Sequence, residues 1–168
     1  MNKGLKADYN VISYLKTMDV FKRKNNMIIE DGYNTIESFL LKEGRIFKPQ
    51  PLPSKYRKMP KKNCFGNAFN LVMDNSDLIY VEGYADCKIG IPVQHAWAVD
   101  QEGNVIDPTW DDGLEYFGVP FDRKYIISVI LDNNYYGVID NYSSHWPLIT
   151  GKHKKSKWSE RSLSCSVS

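Results

Sequence analysis

Cys64, His95 and Asp107 are residue types that can perform covalent chemistry together. A thiol attacks an acyl carbon as its thiolate, and a histidine oriented by a carboxylate can take the thiol proton and pass it to a leaving group. They stand in Asn63-Cys64-Phe65-Gly66-Asn67-Ala68-Phe69, His95-Ala96-Trp97 and Asp107-Pro108-Thr109-Trp110. A nucleophilic cysteine site is the chemistry that this stretch suggests.

Two elements have to position these groups. After the helix-breaking Pro60, the residues Phe65, Ala68, Phe69 and Val72 return at three- and four-residue intervals, so Cys64 is expected to open a helix. Unpaired amides and the dipole at a helix start favour an anion and can donate to a developing oxyanion. Asn67 lies one turn on, on the face of Cys64, where it could hold substrate or site geometry. Downstream, Leu78 to Ala85 reads as the first strand. His95 to Asp100 and Asn104 to Thr109 flank Gln101-Glu102-Gly103, a three-residue hairpin loop with Gly103 left-handed. If Asp100 faces Asn104, Trp97 faces Asp107 and His95 faces Thr109. His95 and Asp107 then project from one sheet face as diagonal neighbours. Gln94, next to His95 in the same strand, points to the opposite face.

The rest of the chain reads as scaffold. Apolar residues from Val11 to Phe21 recur at helical spacing, predicting an amphipathic helix from Ala7 to about Lys24. A second helix is expected from Asn34, with Glu37 placed as in a capping box, to Gly44. Prolines 49, 51 and 53 predict an extended surface loop. It leads into Lys55, Tyr56, Arg57, Lys58, Lys61 and Lys62, a basic approach to Cys64 that could meet an acidic partner. Asp111 to Phe121 reads as an acidic and aromatic loop along the cleft, and Tyr125 to Leu131 as a further strand or a short helix, which periodicity does not separate, with strand preferred.

Length and average composition predict one domain over residues 1–150, followed by a basic, serine-rich mobile tail over 151–168. A net charge of +2 is too small to argue for nucleic acid, and the lysines around Trp158 form only a short basic segment. Three cysteines, Cys64, Cys87 and Cys165, cannot all pair within one molecule, and no leader-like segment opens the sequence, so a cytoplasmic monomer is expected. No run approaches the roughly 20 apolar residues of a membrane helix. Neither a metal nor another cofactor is expected, because no C-x-x-C or H-x-x-x-H pair supports a site.

Cys64 at a helix start, followed by His95-Ala96-Trp97 and Asp107-Pro108-Thr109 on successive strands, resembles the transglutaminase-like branch of the papain-like cysteine superfamily. The resemblance covers roughly residues 62–110 and agrees in chain order. It implies an α+β fold with the nucleophile helix packed on an antiparallel sheet. It also implies a Cys64-His95-Asp107 triad acting through a thioester on an amide-type bond of a protein or peptide. The family places a donor near the oxyanion, for which Tyr56, Gln94 and Asn67 are the candidates, with Trp97 and Trp110 as candidate substrate contacts. Two features depart from larger members: the hairpin is shorter, and Phe65 stands where a tryptophan often follows the nucleophile. The rival reading is a non-catalytic module that binds a protein or nucleic acid through the basic loop.

Overall fold

The computed structural model describes residues 10–161 and 163. Helix α1 (Asn10–Lys24) and helix α2 (Ile36–Glu43) come first, followed by the short strand β1 (Arg45–Phe47). Helix α3 (Cys64–Asp74) leads to strands β2 (Ile79–Cys87), β3 (Val93–Val99), β4 (Val105–Ile106) and β5 (Gly113–Phe121). Helix α4 (Arg123–Asn133), a 3-10 turn (Tyr142–Ser144) and the single helical turn α5 (Lys155–Trp158) complete the molecule. The fold is therefore α+β. Its five strands run antiparallel to each neighbour, in the order β1-β5-β2-β3-β4.

The sheet curls until its edges meet. Lys48, just past β1, bridges Asn104 beside β4, and its carbonyl accepts the Val105 amide at 2.9 Å. The alternation of side chains along each strand then separates two cores. Inside the curl lie Phe47, Val81, Ala85, Trp97, Val99, Val105 and Tyr116. On the outer face, Tyr80, Tyr84, Ala96, Ala98 and Phe117 meet α1, α2, α3 and α4 through Leu15, Phe39, Leu40, Leu71, Val72 and Ile126. Gly83 and Gly118 pair across β2 and β5. A methyl on Gly118 would stand 2.8 Å from the Trp97 ring, so this glycine makes room for the largest residue inside the curl.

Several sequence expectations need correction. The first strand is β1, not the segment from Leu78, and three residues are too few to show an alternation. Asp111 to Phe121 is not a loop: from Gly113 it is the strand paired with both β1 and β2. Pro120 is tolerated there because β1 covers only Tyr116 to Gly118, leaving Pro120 past its end. Tyr125 to Leu131 is helix α4, not strand; Asp122 caps it by accepting the Tyr125 amide, and Asn134 ends it in the left-handed conformation. Helix α2 is capped by Thr35, whose hydroxyl accepts the Ser38 amide, and not by Asn34. Glu37 instead pairs with Lys22 at 2.7 Å, buried between α1 and α2.

Nor does the packed body end at residue 150. Trp158 is buried against Phe39 and Phe121, Ser159 bridges Phe121, and Lys155 pairs with Glu43. Leu163 belongs to the core inside the curl. The expected start of α1 at Ala7, the last serines and Cys165 lie outside the described residues. Among the described residues, no helix is long and apolar enough to cross a membrane.

Candidate active site

The hairpin forms in the register read from the sequence. Ala98 pairs with Ile106 and Val99 with Val105, the Asp100 amide donates to the Asn104 carbonyl, and Gly103 takes a φ of +81°. Beyond Ile106 the second arm leaves the ladder as Asp107-Pro108-Thr109-Trp110. His95 Nε2 lies 2.7 Å from Asp107 Oδ2, with both side chains at most 3% exposed.

Asp107 is the hub. Its Oδ1 accepts the amides of Thr109 at 2.8 Å and Trp110 at 3.1 Å, while Oδ2 also accepts the Tyr116 hydroxyl at 2.8 Å. All four partners meet the carboxylate as donors, which fixes the proton of His95 on Nε2. Nδ1 is the nitrogen left for Cys64, whose side chain is close enough to raise the proton affinity of this imidazole. Burial pushes the Asp107 carboxyl up, but the hydrogen bond from His95, its charge and the further donors hold it below the ordinary value.

Cys64 stands at the first position of α3, half-buried, and Asn63 before it makes no side-chain cap. Burial pushes the His95 imidazolium down, yet the hydrogen bonds to Asp107 and Cys64 outweigh it and raise it to about 9. Trp110 lies over the imidazole, with rings stacked 4.0 Å apart at 19°. It shields the His95–Asp107 pair from water, which strengthens that pair's attraction.

The remaining candidates fall into different places. Asn67 is buried and donates to the Pro60 carbonyl at 2.7 Å and to Thr109 Oγ1 at 3.0 Å. It ties α3 to the Asp107 loop, so of its two expected roles it holds geometry and does not face substrate. Trp97 is fully buried between Phe47 and Tyr116, a core residue and not a substrate contact. Trp110, half-exposed, borders an open groove with Gln50, Leu114 and Tyr116. Gln94 is exposed on the outer face, opposite Tyr84 in the β2–β3 pairing. Tyr56 packs on the outer core beneath the Lys55 ammonium, 4.9 Å from its ring centre. The basic loop docks at the site, since the Met59 amide donates to the Pro108 carbonyl and Lys58 pairs with Asp111 at 2.5 Å. Among the described residues, no group of three or more His, Cys, Asp or Glu side chains could hold a metal ion.

Two residues here escaped the sequence reading. Tyr116 was hidden by reading its strand as a loop; as a strand, the segment puts Tyr116 opposite Ala85, on the face of His95. Glu82, midway along β2, is buried and accepts the Tyr80 hydroxyl at 2.7 Å and the amides of Val138 and Ile139 at 2.6 and 3.0 Å. Burial raises it to about 7 despite those three donors. A charged residue within the β-rich run from Leu78 to Ala85 was the available signal.

No protein-family model, curated protein or solved structure matches the chain.

These two buried groups set a pH dependence. His95 is raised above its ordinary 6.5, so its contribution to stability is complete below about 6.5 and is lost as pH climbs through about 9. Glu82 is raised above its ordinary 4.5, so it adds an earlier loss as pH rises through about 7. Asp107, held low, opposes both in acid, where its contribution disappears as it protonates. Urea unfolding at stepped pH is expected to show stability declining from about pH 5 to 9, with Glu82→Gln removing the lower part of the decline. A curve that is level over that range would contradict both assignments.

Proposed function

We propose that the protein is a cysteine-dependent acyl-transfer enzyme of the transglutaminase-like kind. Cys64, His95 and Asp107 form its triad, and hydrolysis of an amide-type bond in a protein or peptide is its reaction. The observation that carries this reading is a single buried imidazole that the Asp107 carboxylate holds at 2.7 Å and whose proton affinity the helix-start thiol of Cys64 also raises. The curled antiparallel sheet and the nucleophile helix packed on its outer face also suit that scaffold.

The steps follow from the placement. Cys64 gives its proton to His95 Nδ1, leaving a thiolate–imidazolium pair that the raised proton affinity of His95 favours, and the sulfur attacks the acyl carbon while the carbonyl electrons move onto oxygen. Uncapped amides at the start of α3 are placed to receive that oxyanion. As the tetrahedral intermediate collapses, the C–N bond breaks, His95 protonates the departing amine, and a thioester remains on Cys64. His95 then deprotonates a water that attacks the thioester, releasing the acid and restoring the thiol. An amine in place of water would complete acyl transfer by the same route. Throughout, Asp107 stabilises the imidazolium and keeps Nδ1 turned toward sulfur.

Competitive alkylation tests the reading. With a small neutral haloacetamide at neutral pH, Cys64 is expected to react at least about tenfold faster than Cys87, the half-buried thiol at the end of β2. The advantage should disappear in His95→Ala. Equal rates for the two thiols would remove the nucleophile and leave the basic loop as the surface of a binding module.

A further inference from the structure

On the outer face of the sheet, beside the start of α3, a slot opens between α2 and the segment that follows α4. Its walls are Ile36 and Leu40 of α2, Phe65 next to the nucleophile, and Ile139, with Glu82 at its end and Asp140 at its rim. Phe65, one residue past Cys64, brings the slot to the start of α3, and Tyr135 also lines it. Gly137 keeps the passage open, since a methyl there would stand 3.7 Å from the Phe65 ring and 3.9 Å from Glu82 Oε1.

We infer that this slot receives the substrate side chain adjacent to the acyl carbon attacked by Cys64, and that it takes an unbranched chain ending in an ammonium, as in lysine. The inference rests on the triad proposed above.

Size, polarity and charge each restrict the occupant. The slot is narrow, leaving about 20 Å³ for water-sized groups over its whole length. Such a slot suits an unbranched chain with a compact ammonium better than one ending in a planar guanidinium. The apolar walls suit a methylene stem in the mouth, where a branched or aromatic side chain would be too wide. At the end, the Glu82 carboxylate has about four acceptor positions, of which Tyr80, Val138 and Ile139 occupy three. One remains for a donor arriving through the slot. Asp140 adds a second carboxylate, and none of the lining residues is Lys or Arg, so the field favours a cation over an amide of similar shape. The ammonium sits in the recess as a recognition group and takes no part in the bond exchange.

Peptidyl acyloxymethyl ketones that differ only in the residue bearing the warhead can test this, with lysine, norleucine, arginine and glutamate in turn and Cys64 labelling followed by mass spectrometry. The lysine probe is expected to label Cys64 about tenfold or more faster than its uncharged counterpart norleucine, with arginine and glutamate slower than lysine. Asp140→Asn, at an exposed position, and Glu82→Gln should each reduce the lysine-to-norleucine ratio. Rapid labelling of Cys64 without preference for lysine, or with arginine equal to lysine, would overturn the slot assignment while leaving the triad. If no probe labels Cys64 faster than Cys87, the triad falls and the slot assignment with it.

Discussion

Asp107→Asn is expected to keep the fold and slow acylation of Cys64 by roughly 10²–10⁴-fold, the range that a positioned acid–base group supplies. The hydrogen bonds explain why. Oδ1 of Asp107 accepts two backbone amides that cannot turn away, so the asparagine must keep its oxygen there and place its NH₂ toward His95 and Tyr116. That NH₂ donates, so His95 must accept at Nε2 and carry its proton on Nδ1, the nitrogen that faces Cys64. A base already protonated on that side cannot take the thiol proton. Losing the acceptor for the Tyr116 hydroxyl in a buried site adds a destabilisation of about 1–3 kcal/mol. Pre-steady-state acylation and thermal melting of the same variant separate the two effects. Unchanged acylation would reduce Asp107 to a turn residue.

Trp158→Ala is the substitution expected to harm stability most, at about 3–5 kcal/mol for a buried tryptophan cut to a methyl. Trp158 lies between Phe39 of α2 and Phe121 at the end of β5, with its indole N–H on the His153 carbonyl. Set against a typical total of about 5–15 kcal/mol, such a loss leaves a marginal protein. Chemical denaturation would show it as a lower midpoint with little change in slope. A loss below about 1 kcal/mol would mean that the C-terminal turn merely rests on the body.

Trp158 also shows where the sequence was hard to read. Around it stand Lys152, Lys154, Lys155 and Lys157, which resemble a solvated tail, and one buried aromatic produces no periodicity. Its aromatic partners, Phe39 and Phe121, are more than thirty residues away along the chain, so only tertiary contact reveals its place. The same holds for the apolar run from Tyr125 to Leu131, rich in β-branched residues, where the cap at Asp122 outweighs local propensity. Strand β5 was hidden because its residues from Tyr116 onward are buried on both faces, which erases the alternation expected of a half-exposed strand. In contrast, the His95–Asp107 hairpin was legible because its turn and both arms lie within a few residues of each other. Cys64 was legible as a helix start from Pro60 and the spacing that follows. What could not be read was the third side of the site, Tyr116, and the carboxyl of Glu82, since both depend on which strands become neighbours.

The hairpin carries a constraint on length. Twelve positions separate histidine from aspartate, and the left-handed Gly103 turn fixes how the two arms meet. One residue inserted into a single arm would slip the register and turn Asp107 to the far face of the sheet, whereas one added to each arm would preserve the meeting. A lone insertion survives only if the turn or a bulge absorbs it. A search for chains with the same site can therefore ignore much of the composition and look for a histidine and an aspartate twelve positions apart on the two arms of a glycine turn, downstream of a cysteine that opens a helix. Spacing, more than overall similarity, is what this architecture obliges a distant relative to retain.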